Sequence, residues 1–114
     1  MKVNKFTQKS MEATNQCEKI AYEYGHQQLV QEHLLYSLLT IEESLIKKML
    51  EKMEIQPEVF IAQVEGLLKK RPKVSGGQIY IGEDLNKVLV CAEDEAKAMG
   101  DEYVSVEHLF LCMM

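Results

Sequence analysis

Three kinds of side chain in this 114-residue chain have chemistry to offer. They are the cysteines Cys17, Cys91 and Cys112, the histidines His26, His33 and His108, and the glutamates Glu32 and Glu107, each followed directly by a histidine. A thiol beside an imidazole makes a nucleophile, and closely spaced Cys and His hold zinc. Neither pattern is written here, because the cysteines are widely spaced, form no CxxC and sit in no cysteine–histidine cluster. An odd number so placed reads as three small buried hydrophobes, not as a disulfide framework, a metal centre or a thiol enzyme. The chain also lacks GxxxxGKS/T, GxSxG and HExxH, so it has no P-loop for nucleotide phosphates and no hydrolase or zinc-protease motif of those types.

The histidines and glutamates gain meaning from an internal repeat. Sliding the chain by 75 residues lays Phe6–Leu39 over Ile81–Met114 without a gap. Glu18, Ala21, Gly25, Glu32, His33 and Leu34 then meet Glu93, Ala96, Gly100, Glu107, His108 and Leu109. The substitutions Phe6/Ile81, Ala13/Val88, Leu29/Val104, Leu35/Phe110 and Leu38/Met113 keep apolar character where a core demands it. His33 and His108 therefore hold equivalent places, and each reads as a partly buried ring bonded to backbone at a helix start. His26, just past a glycine, reads as exposed. Glu32 and Glu107 fall in the first turn of their helices, where a carboxylate favours the positive helix end. The same two carboxylates could instead be offered to a cationic partner.

Helices must position these groups. Ala13, Cys17, Ile20, Ala21 and Tyr24 step by three and four, as do Leu85, Val88, Leu89, Ala92, Ala96 and Met99. Gly25 and Gly100 supply the left-handed stops, and Thr7 caps the first helix. A second helix begins in each copy near Gln31 and near Val106; Ser105 can cap the latter, whereas Val30 has no side chain that can. Between the copies, Ser44 caps Leu45–Met53, and Pro57 opens a helix with Phe60, Val64, Leu67 and Leu68 on one buried face. That helix ends in Lys69-Lys70-Arg71, where cations suit the dipole, and stops at Pro72. The linker Arg71–Gly82 is centred on Gly76-Gly77, and Ile79-Tyr80-Ile81 is too short to make a sheet. The expected fold is all-α, with repeat one over about 1–75 and repeat two over about 76–114. Repeat two stops within its second helix, so a longer natural domain or protein is expected.

Composition narrows the function classes. The chain is 46% hydrophobic and 27% charged, with a net charge of −5. That length and apolar content support one domain with its own core, and they argue against disorder. The acidic balance argues against nucleic-acid binding, which needs clustered cations. No run is long and apolar enough for a membrane span, and the first residues do not read as a secretion signal. A cytoplasmic protein with no membrane partner is expected. The seven methionines suit a core, although methionine also serves surfaces that accept varied peptides.

GHQQLVQEHLLYSLL, RPKVSGGQIYIGEDLNKVL and GDEYVSVEHLFLCMM together resemble the N-terminal domain of the Clp ATPases across essentially the whole chain. The Pro-Lys-Val-Ser-Gly-Gly linker and Gly100-Asp101 are most similar to the ClpB disaggregase branch. The resemblance implies a non-catalytic bundle of two pseudo-twofold-related four-helix Clp repeats, the second incomplete here. It implies a mobile domain on a homohexameric AAA+ motor, with ATP and Mg bound in modules outside this chain and no cofactor within it. The implied partners are unfolded or aggregated polypeptides and possible adaptor proteins, passed on to the motor. Thr7, Asp101 and Glu107 match positions implicated in such domains. In ClpC-like domains, the positions matching Glu32 and Glu107 recognise phosphoarginine, which supports an alternative role as the adaptor- or phosphoarginine-binding domain of a Clp protease. An apolar groove holds exposed hydrophobic segments without reading their sequence, and Tyr80, Leu85 and Val88 are its candidate lining.

Overall fold

The computed structural model describes residues 5–74 and 77–113. Six helices and two very short strands follow in the order α1 (Gln8–Tyr24), β1 (Gln28–Leu29), α2 (Gln31–Thr40), α3 (Leu45–Lys52), α4 (Pro57–Lys70), β2 (Tyr80–Ile81), α5 (Glu83–Ala98) and α6 (Val106–Leu111). The fold is a helical bundle. Ser75 and Gly76, at the centre of the linker, lie outside the described residues, as do 1–4 and Met114.

The helix ends follow from local chemistry. Ser10 N–H donates to Thr7 Oγ1 at 3.2 Å, and Lys47 N–H to Ser44 Oγ at 3.1 Å, so both hydroxyls satisfy an otherwise orphaned donor. Pro57 opens α4 at a position where its missing N–H removes no bond. Gly25 and Gly100 both have φ near +74°, a left-handed turn that a Cβ disfavours.

The 75-residue repeat is visible in space. α1 and α5 begin 75 residues apart, as do α2 and α6, by subtraction of their first residues (83 from 8, 106 from 31). α1 packs on α2 as α5 packs on α6, and α1 crosses to α6 as α5 crosses to α2. Leu34 and Leu109, equivalent in the two copies, are fully buried in one common core with Leu38, Ile46, Leu50 and Leu85.

Three local expectations are corrected. Ile79-Tyr80-Ile81 does contribute to a sheet, because a partner strand waits in the other repeat. β2 pairs in parallel with β1, Gln28 opposite Tyr80 and Leu29 opposite Ile81. Leu67 is 51% exposed, since α4 turns Pro57, Val64 and Leu68 inward, with Phe60 half-buried beside them. The cysteines are not three buried free thiols either. Cys91 and Cys112 form a disulfide, and only Cys17 is a buried free thiol. Cys91 on α5 and Cys112 at the end of α6 meet because those helices lie side by side, which spacing alone does not reveal.

Truncating the equivalent core leucines tests this packing. Leu34→Ala and Leu109→Ala are each expected to cost about 2–5 kcal/mol in urea denaturation. Leu67→Ala, on the solvent side of α4, is expected to stay within about 0.5 kcal/mol. A comparable loss for Leu67→Ala would contradict the placement of α4.

Candidate functional site

The sequence-selected polar residues collect at two corners, each made where one repeat's loop meets the other repeat's entry strand. Corner two comprises the loop from Gly100 to Ser105, the start of α6, and Lys5–Thr7. Phe6 bridges to Val104 in parallel fashion, Val104 N–H donates to the Lys5 carbonyl at 2.7 Å, and Thr7 N–H to the Val104 carbonyl at 3.0 Å. Ser10 Oγ also donates to the Val104 carbonyl at 2.9 Å, while Thr7 Oγ1 donates to Ser10 Oγ at 2.9 Å. Thr7 is thus wired to the loop that carries Asp101 and leads to Glu107.

His108 braces the same loop from below. Ser105 N–H donates to its Nδ1 at 2.9 Å, which leaves the proton on Nε2 to be donated to Asp101 Oδ2 at 3.0 Å. The ring is buried, whereas Asp101 is exposed and keeps one carboxylate oxygen for solvent or a ligand. Glu107 is half-buried in the first turn of α6 and makes no ion pair or side-chain hydrogen bond among the described residues. An open cavity of about 340 Å³ adjoins this corner, lined by Lys5, Ala96, Lys97, Asp101 and Val104 among others. Met99 and Tyr103, both more than half exposed, project from the same loop region.

Corner one repeats the frame with different chemistry. Gly82 N–H donates to the Leu29 carbonyl at 2.7 Å, the counterpart of the Thr7–Val104 bond. Val30 N–H donates to His33 Nδ1 at 3.0 Å, so the ring satisfies the backbone that the Val30 side chain cannot cap. His33 Nε2 then faces not a carboxylate but His26 Nδ1, at 2.9 Å. His26 occupies the place that Asp101 holds in the second copy. The expectation of an exposed His26 is therefore corrected: the ring is only 5% exposed, stacked on Tyr24 at 5.6 Å between centroids. The repeat register aligned His26 with Asp101, which was the available signal for this pairing.

Burial pushes the His33 imidazole down to about 4, helped by the facing His26 and by Arg71, against the pull of the Val30 backbone bond and Asp84. Burial also lowers His26, as do Arg71 and Lys73, while hydrogen bonding to the Leu68 backbone opposes them. Both rings are neutral at pH 7, and one proton between Nε2 of His33 and Nδ1 of His26 joins them.

The other expected residues divide between surface and core. Tyr80, on β2, is 54% exposed and lines a cavity of about 230 Å³ with His26, Gln28, Arg71 and Val74. Leu85 and Val88 lie in the core, so in this arrangement they present no groove surface; Leu85 has none exposed at all. Glu32 is half-buried in the first turn of α2, and its Oε2 atom is enclosed without a hydrogen-bond partner. Sequence reading missed Arg71, because a cation at a helix end looks fully explained by the dipole. In the fold it stands beside both His26 and the Glu83–Lys87 face of α5.

Corner one makes stability acid-sensitive. A folded-state histidine held near 4 refuses a proton that the unfolded chain accepts once pH falls below about 6.5. The contribution is complete above about pH 6.5 and declines towards pH 4, by at most about 1.4 kcal/mol per pH unit per histidine. His26→Asp installs the pairing of corner two and is expected to flatten the urea midpoint between pH 6.5 and 5. An unchanged slope in that variant would show that the histidine pair is not its source.

Comparison with known proteins agrees with this architecture. The Clp repeat (R) N-terminal domain family matches residues 5–114. The chain is 43% identical over 119 residues to chaperone protein ClpB of Nitratidesulfovibrio vulgaris, covering 100% of this chain and 14% of that protein. It is 37% identical over 114 residues to ClpB of Porphyromonas gingivalis, covering 100% of this chain and 13% of that protein. It thus spans only a small part of these relatives. Among solved structures, the N-terminal domain of the ClpV1 ATPase from E. coli EAEC superposes with a TM-score of 0.89 at 18% identity, over 97% of this chain and 68% of that one. The Hsp104 N-terminal domain from Candida albicans gives 0.88 at 21% identity, over 96% and 73%. At that level of identity the superpositions speak for the fold alone, while the sequence matches carry the kinship: the chain belongs to the Clp repeat N-terminal domain family, with relatives in the ClpB chaperones.

Proposed function

We propose that this chain is a non-catalytic binding module that captures unfolded or aggregated polypeptide and passes it to the AAA+ motor of a ClpB-like disaggregase. Corner two supports this reading. It sets an open cavity with both charged and apolar lining beside exposed Met99 and Tyr103, and rims it with Asp101. Exposed apolar side chains around an open concavity suit weak contact with extended, apolar segments of varied sequence. Weak contact is useful where substrate must be released, and several copies on one motor would add avidity. Thr7 holds the Lys5–Thr7 edge against the loop, while Asp101 and Glu107 supply carboxylates that select against acidic segments.

The test is titration with a permanently unfolded model protein. Asp101→Asn retains an acceptor for His108 but removes the charge, and Glu107→Gln removes the second charge. The pair is expected to weaken binding by about tenfold, or roughly 1.4 kcal/mol. Unaltered affinity in the double variant would refute the assignment of the site to corner two.

A second reading rests on Glu32. An enclosed carboxylate oxygen without a partner is an acceptor waiting for a donor, and a guanidinium group offers several in a planar fork. This favours recognition of arginine-like groups, including phosphoarginine on tagged substrates, as in the Clp protease branch. Saturable binding of free phosphoarginine that is lost in both Glu32→Gln and Glu107→Gln is its expected signature. No binding at millimolar ligand would eliminate it.

A further inference from the structure

The two repeats join their first and second helices by different fasteners. In repeat one, Ser37 on α2 donates its hydroxyl to the Ala13 carbonyl of α1 at 2.7 Å, a buried bond between neutral groups. The 75-residue register places Cys112 where repeat one has Ser37, and Cys91 where it has Gln16. In repeat two, the same joint is closed by the Cys91–Cys112 disulfide. Its two cysteines are 21 residues apart in sequence, and the loop they close contains Asp101, Val104, Glu107 and His108. The Gly100–Ser105 loop and the start of α6 are thus inside one covalent ring, while Lys5–Thr7 and Ser10 lie outside it.

We propose that Cys91–Cys112 is a reversible thiol–disulfide site, cleaved by dithiol reductants and re-formed by low-molecular-weight disulfides, and that its state sets how readily corner two opens. Both cysteines are half-buried, so an attacking thiolate can approach without unfolding the chain. A reductant thiolate attacks one sulfur, breaks the Cys91–Cys112 bond and forms a mixed disulfide. The reductant's second thiol then closes its own disulfide and releases the other cysteine. The protein gains two electrons and two protons, and the dithiol is oxidised by the same amount. Cys17 is a bystander: it is sealed in the core, and burial, with Glu18 nearby, pushes its thiol up to about 12.

The consequence for corner two follows from chain entropy. Closing a loop removes freedom mainly from open and unfolded states, so cleaving it populates those states more. The rest of the joint persists, since Leu109 and Phe110 stay anchored in the core. Corner one has no cysteine in its loop, so it should not respond.

The experiment uses this chain with dithiothreitol, then glutathione disulfide, reading free thiols and amide hydrogen exchange. Two reactive thiols should appear in the folded, reduced protein and vanish on reoxidation, with Cys17 reacting only in denaturant. Exchange over 101–105 should speed by about tenfold on reduction, with 26–30 unchanged. Cys91→Ser and Cys112→Ser should each match the reduced protein whatever the redox buffer. A bond that survives excess dithiothreitol until the chain unfolds, thiols that glutathione disulfide never joins, or exchange at 101–105 indifferent to reduction would each overturn the proposal. No polypeptide ligand enters these readouts, so their failure is separable from failure of the binding role.

Discussion

The structure depends on reciprocal backbone pairing between the repeats. Each repeat's entry strand closes on the other repeat's loop: Phe6 bridges to Val104, and Ile81 pairs with Leu29. Neither repeat can form its corner alone, because the carbonyls of Val104 and Leu29 receive their donors from Thr7 and Gly82 of the other copy. A buried carbonyl left without a donor carries a desolvation cost, so the two copies fold as one unit. The bridges also bring the starts of α1 and α5 against the partner loops, which directs Leu34 and Leu109 into a single core.

Within that shared frame, the two corners have diverged in chemistry while keeping geometry. His33 and His108 accept from backbone N–H groups at nearly the same distance, and both then donate from Nε2. What lies beyond differs. A carboxylate, Asp101, stands at the exposed corner, and a second imidazole, His26, at the enclosed one. A carboxylate can face water and a ligand together, whereas the stacked His26 is committed inward. Duplication thus left an exposed carboxylate at one corner and a buried imidazole pair at the other.

The fasteners diverge in the same way. Ser37 and Cys112 occupy one register position, yet one makes a hydrogen bond and the other a covalent link. α3 and α4 pack on α2, and α3 packs on α6 as well, so other helices flank both joints.

The sequence by itself determined what depends on neighbours along the chain. The period of 75, the apolar stripe of α1 and that of α5 as far as Ala96, the caps at Thr7 and Ser44, and the stops at Gly25 and Gly100 were all legible, whereas Met99, read as the end of the α5 stripe, is exposed beyond the helix. Each rests on local sterics or on hydrogen bonds spanning a few residues. The brace role of His33 and His108 was legible for the same reason, since the backbone each ring satisfies lies three residues away. Tertiary structure alone decided the pairing of Ile81 with Leu29, the meeting of Cys91 with Cys112, the burial of His26, and the inward placing of Leu85 and Val88. These depend on how helices lie against one another. Periodicity reports which face of a helix is apolar, but not which residue of the facing helix it meets, so contacts between elements stay hidden until the core is packed.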